Sequence, residues 1–205
     1  MEAQTKEAQD KMTPDKSLSE LRIGNQRFVN KNQLNRDLLQ QVKQTSTGQY
    51  PFATILSCID SRVSSELIFD QGIGDIFSVR IAGNFVNEDI LGSMEFACKL
   101  AGTKLILVLG HTACGAVKGA CDHARLGNLT ALINKIEPAV EAVIEPKEES
   151  QRNSSNIKFV NSVAEKNVEM TISNIRSSSP VLAEMEEQGS IKIIGGMYDI
   201  DTGIV

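Results

Sequence analysis

Positive charge is in short supply along this chain. Twenty-one Lys and Arg stand against 26 Asp and Glu, a formal net charge of -5 over 205 residues, so no basic field exists to hold nucleic acid or an anionic membrane surface. Long apolar runs are missing too: none approaches the roughly 18 to 20 residues of a membrane span, and the opening M-E-A-Q-T-K-E-A-Q-D lacks a signal-peptide core. The expected location is the cytoplasm, with the periplasm as the alternative if a leader has been removed. Tryptophan is absent, and histidine occurs only as His111 and His123. The cysteines (Cys58, Cys98, Cys114, Cys121) are too sparse for the disulfide framework of a small secreted domain, and no C-x-x-C pair is present for thiol redox chemistry. Thiols or metal ligands remain.

The chain is 41% hydrophobic, long enough to bury one core and short for two. One domain over 1–205 is expected, with an N-terminal helical arm (1–45) and an α/β core (50–205). Ser17 to Val42 carries spaced apolar residues broken by Gly24, the pattern of one or two amphipathic helices. Four short runs rich in Ile, Leu and Val follow: Phe52 to Ser57, Asp75 to Arg80, Lys104 to Gly110 and Ile191 to Tyr198. These read as strands of a mainly parallel sheet buried on both faces. Helical stretches between them (63–70, 89–101, 126–145 and 153–177) make the fold class α/β, a central sheet flanked by helices. The closing D-T-G-I-V is expected to turn at Gly203 and add an antiparallel edge strand.

In open α/β sheets ligands bind beyond the carboxyl ends of the strands. F-A-T-I-L-S-C-I-D-S-R puts Cys58, Asp60 and Arg62 just after the first strand, and K-L-I-L-V-L-G-H-T-A-C-G puts His111 and Cys114 just after the third. If those strands are neighbours, the groups converge. Two thiolates and one imidazole suit zinc, and three protein ligands leave a fourth position open for chemistry. A lone buried cysteine is usually inert core; Cys98 fits that reading, whereas Cys58 with a carboxylate and an arginine close behind it does not. Cys121 and His123 are weaker candidates for a second metal pair or a proton shuttle.

C-I-D-S-R (58–62) with H-T-A-C-G (111–115) resembles the paired signature of β-class carbonic anhydrases. R-I-A-G-N (80–84), L-R-I-G-N-Q-R-F (21–28) and G-G-M-Y-D (195–199) resemble further segments of that family, so the likeness covers most of the chain and is weakest over 141–176. It implies one zinc ion per subunit held by Cys58, His111 and Cys114, and reversible hydration of carbon dioxide to bicarbonate by zinc-bound hydroxide. Asp60 would orient that hydroxide, and Arg62 would keep Asp60 ionised by charge and by a fork of donors. It also implies a homodimer or homotetramer with pocket walls from both subunits, the segment around Leu21 to Phe28 wrapping the neighbour.

The resemblance also chooses between two subsets of the family. Gln49 matches the substrate-contacting glutamine of the plant-like subset, whose site is open. The other subset carries a tryptophan where this chain has Ile55 and uses it in an inhibitory bicarbonate pocket. Phe77 and Phe96 fall at aromatic pocket walls, and Gly115 would offer its backbone N–H to bicarbonate. Arg80 and Tyr198 match positions of the other subset's pocket, and without the tryptophan a structural role is expected for both. Two other functions share the zinc motif: a zinc protein whose fourth position Asp60 closes permanently, and a hydrolase of carbon disulfide.

Overall fold

The computed structural model describes residues 2–205. The four apolar runs form its strands: β1 (Ala53–Ser57), β2 (Ile76–Arg80), β3 (Leu105–His111) and β4 (Lys192–Tyr198). All pairings are parallel, in the order β2-β1-β3-β4. The central strands β1 and β3 are buried at every residue, which is why they read as continuous apolar runs instead of alternating ones.

Around the sheet lie α1 (Lys6–Asp10), α2 (Pro14–Val29), α3 (Leu38–Thr45), α4 (Ser65–Ile68), α5 (Glu88–Glu95), α6 (Gly115–Cys121), α7 (Gly127–Ile133), α8 (Glu137–Ala142), α9 (Ile157–Ser178) and α10 (Pro180–Glu187). A π-turn, Phe96–Leu100, extends α5. No helix among the described residues is long and apolar enough to cross a membrane. The longest, α9, packs across β3 and β4 with a buried stripe of Val160, Val163, Ala164, Val168 and Ile175. Each larger side chain of that stripe contributes about 1.5 to 3 kcal/mol by leaving water, and such packing supplies most of the stability of a helix in a folded protein.

Helix α2 starts where Thr13 accepts a hydrogen bond from the Lys16 N–H and Pro14 fills a first-turn position. Within the protomer it packs against α4 and β3. Leu21 is buried in the same apolar cluster as Phe69 and Leu107. A Cβ on Gly24 would sit 1.8 Å from the Phe69 carbonyl oxygen, so only glycine permits this approach. Asn25 donates to the carbonyls of Ile68 at 3.1 Å and Gly203 at 2.8 Å.

The expected antiparallel edge strand does not form. Gly203 does turn, with φ +78°, but the turn closes on itself: Gly203 N–H donates to Asp199 O, and Asp199 N–H to Ile204 O. The Val205 N–H then goes to Asn25 Oδ1 at 3.1 Å. A polar side chain of α2 takes the donor that an edge strand would have given to β4, which stays at the sheet's margin.

Candidate metal centre

β1 and β3 are hydrogen-bonded neighbours, with Ser57 opposite Leu109, so the residues just past their ends converge. Cys58, His111 and Cys114 are buried, and their ligand atoms lie within 4.8 Å of one another. Cys58 Sγ and Cys114 Sγ are 3.9 Å apart. The sulfur–sulfur edge of a zinc tetrahedron with Zn–S near 2.3 Å is about 3.8 Å, so the spacing fits that ion. Thr112 contributes through its carbonyl, which lies 2.9 Å from His111 Nδ1; placing the proton there leaves the Nε2 lone pair free to ligate. Nε2 is buried with no hydrogen-bond partner, a costly state for a polar atom unless it faces a ligand.

The two sulfurs behave as one unit. The Cys58 thiol is pushed well down, chiefly by the hydrogen bond from Cys114; burial opposes this, and His111 and the Gly83 N–H assist it. Cys114 is pushed up by the same bond, by burial and by the charge on Cys58. A divalent cation between them would take the place of the shared proton and favour two thiolates. The soft donor set, the sulfur spacing and the unpartnered imidazole nitrogen all suit zinc.

Asp60 lies beside this cluster, its Oδ2 4.0 Å from His111 Nε2. Arg62 holds it through one edge of the guanidinium, Nε donating to Oδ1 at 2.9 Å and Nη2 to Oδ2 at 2.7 Å, and the Arg62 N–H adds 3.0 Å to Oδ1. These bonds hold the Asp60 carboxyl far below the usual carboxylate range. Arg80 braces the same loop from β2, donating to Cys58 O at 3.1 Å and Asp60 O at 2.7 Å. Tyr198 is buried and accepts the Thr112 N–H at its carbonyl. Both residues thus bond backbone groups next to the metal ligands.

The remaining sequence candidates are dispersed. Gly115 opens α6 next to Cys114, is exposed, and has nothing within 4 Å of where a Cβ would stand. Phe77 and Phe96 meet edge to face at 6.3 Å and line a surface cavity with Arg80, Glu88 and Asp89. Gln49 is exposed and lines another with Thr45 and Ile73. Neither cavity includes a residue of the Cys–His–Cys cluster. Cys98 is buried, 3.3 Å from the Thr103 hydroxyl. His123 pairs with Glu137 at the surface.

Sequence reasoning missed two asparagines of α9. Asn161 Oδ1 accepts the N–H of Ala113 at 2.9 Å, fixing the turn between His111 and Cys114 where Ala113 has a φ of +54°. Asn167 is buried and donates to Gly83 O at 2.7 Å. An Asn on the buried stripe of an amphipathic helix was the available signal.

Residues 53–205 match the family described as "Carbonic anhydrase" (Pro_CA). Carbonic anhydrase 2 of Mycobacterium tuberculosis is 36% identical over 158 residues, spanning 77% of this chain and 74% of that protein. A carbonic anhydrase of Pseudomonas aeruginosa is 31% identical over 170 residues, spanning 80% and 76%. Among solved structures, the β-carbonic anhydrase CcaA superposes with a TM-score of 0.70 at 26% identity, covering 91% of this chain and 92% of that one.

Proposed function

The chain belongs to the β class of the carbonic anhydrase family, and from that premise we propose how its residues carry out the reversible hydration of carbon dioxide to bicarbonate and a proton. Cys58, His111 and Cys114 are the zinc ligands. When bound, zinc brings the pKa of a water to about 7, so that a nucleophile exists at neutral pH.

The protein's share is orientation. Asp60, kept anionic by Arg62, accepts the proton of the attacking group in a hydrogen bond, so that the lone pair points toward carbon dioxide. Arg62 has a second duty, since its two-donor grip keeps the short Asp60 side chain from turning onto the metal. We therefore place the chain in the open-site, plant-like subset. The exposed Gly115 N–H receives a bicarbonate oxygen without a side chain in the way. Gln49, Phe77 and Phe96 complete the substrate pocket across a homodimer interface, because within one protomer they line other cavities. The dimer is the minimal unit and can double to a tetramer.

The observation that carries this reading is the unpartnered His111 Nε2, facing two thiols beside a carboxylate already gripped by arginine. Stopped-flow hydration of carbon dioxide, near neutrality and at about pH 8.5, tests it. Activity is expected at both, lost to a chelator and restored by zinc. Silence of the zinc-loaded protein at both would leave a zinc protein whose fourth position is permanently closed.

A further inference from the structure

The turn at residues 81–84 approaches the metal centre without contributing a ligand. Ile81 N–H donates to Ser57 O, the last residue of β1, at 3.1 Å, and Asn84 N–H closes the turn on Ile81 O at 3.0 Å. Inside it the Gly83 N–H points at Cys58 Sγ, 3.4 Å away. Gly83 has φ +78°, a backbone conformation that favours glycine, and a Cβ there would lie 2.4 Å from Ile136 Cδ1 and displace the end of that side chain. The other end of the residue is tied down as well. Its carbonyl accepts the Asn167 Nδ2–H at 2.7 Å, a buried bond spanning 84 residues of sequence.

We propose that Asn167 is a positioning residue of the metal centre: by anchoring Gly83 O from α9, it holds the Gly83 N–H against the sulfur of Cys58. The bond withdraws electron density from a thiolate ligand and fixes the direction of its lone pairs. Removing such an outer partner typically costs 10- to 100-fold in metal affinity. Asn167 touches neither the ion nor the substrate. It acts through one backbone amide, and its side chain is spent on that carbonyl instead of on the apolar contacts of its neighbours Val163, Ala164 and Val168. This inference rests on the zinc site described above.

Two measurements test it without relying on turnover. In the parent protein loaded with spin-active cadmium, the Gly83 amide proton should show scalar coupling to the metal through the N–H···S bond. In the Asn167→Leu variant loaded with cobalt, the sulfur-to-metal charge-transfer band should move to lower energy, because a sulfur relieved of its hydrogen bond gives up electrons more easily. The zinc-loaded variant should release its ion to a chelator roughly tenfold faster or more. Val168→Ala is the control on the same helix. It loosens packing against Gly110 and Gly195 and should lower thermal stability without moving the band. A parent that binds cadmium but shows no coupling at Gly83 overturns the proposal and leaves the zinc site intact, and this holds even where Asn167→Leu fails to fold. An unshifted band with unchanged zinc release overturns it as well. A parent that takes up neither cadmium nor cobalt at the three ligands overturns the zinc site and the proposal together.

Discussion

Arg62 meets Asp60 edge to edge, with Nε–Oδ1 2.9 Å and Nη2–Oδ2 2.7 Å, while the same carboxylate stands 4.0 Å from His111 Nε2. One acid thus faces a fixed fork of donors on one side and the metal position on the other. The fork settles which way the carboxylate turns.

Substitutions at the two ends of that relationship should separate binding from catalysis. Asp60→Asn should keep its zinc and lose roughly 10- to 100-fold in rate, since a neutral amide no longer accepts the same proton. Arg62→Ala should also keep zinc, with Asp60 freed to approach it. Cys114→Ala should lose metal and activity together, because two remaining ligands hold the ion poorly. Zinc content measured beside carbon dioxide hydration distinguishes these cases, and full activity in Asp60→Asn would remove the orienting role.

Stability has a separate electrostatic anchor at Asp70. Its buried carboxylate accepts from Arg27 Nε, Arg36 Nη1 and the Leu34 N–H, joining α2 and the following loop to α4. Burial alone would raise its pKa, but the two arginines and the amide outweigh it and the net shift is downward. A depressed folded-state pKa gives stability that is fully present above the unfolded carboxylate value near 3.9 and is lost as pH falls through the folded value. Asp70→Asn, which leaves Arg36 buried without its counter-charge, should therefore cost about 3 kcal/mol near neutral pH. Urea unfolding of parent and variant should show that gap close as the solution becomes acidic. A gap independent of pH would mean the loss is one of packing.

How much of this was legible beforehand depended on where the signal sits. The strands were readable because β1 and β3 are buried on both faces and leave unbroken apolar runs. The metal ligands were readable because their chemistry is written in residue type at the strand ends. Expected helix 126–145 instead breaks into α7 and α8, with Pro138 in the first turn of α8, where a missing N–H is tolerated and a mid-helix position would not be. The edge strand failed because Asn25, 180 residues away, took the Val205 N–H. Asn161 and Asn167 gave only half a signal: a polar residue on or beside the apolar stripe of α9 is visible in the sequence, but the partners are backbone atoms of distant turns, which no local pattern encodes.

The proposed dimer can be tested at the apolar surface that one protomer leaves uncovered. Ile59, Leu67 and Phe96 are 60%, 67% and 52% exposed, and β2 is a sheet margin that carries Phe77, with Phe96 against it. Exposed apolar groups of this size favour a covered face. Sedimentation should give a dimer or tetramer, and Phe96→Glu should shift the population toward monomer with loss of activity. An active monomer at low micromolar concentration would contradict the shared pocket.

On the proposed open-site reading, the pH response should be simple. Ile55, which the resemblance sets at the tryptophan position of the bicarbonate-inhibited subset, is fully buried in mid-β1 between Ser78 of β2 and Leu107 of β3. Arg80, which would serve that pocket, is already bonded to the carbonyls of Cys58 and Asp60. The Asp60 carboxyl is held far below the usual range by Arg62, so its ionisation is not expected to set the acid limb. That limb belongs to the water that zinc acidifies, near pH 7. Activity should fall smoothly through that region, with a single ionisation, and added bicarbonate should inhibit only as a product. A steep, cooperative loss of activity on the acid side, or a crystal structure near neutrality with Asp60 about 2.0 to 2.2 Å from zinc, would place the chain in the closed subset despite its isoleucine.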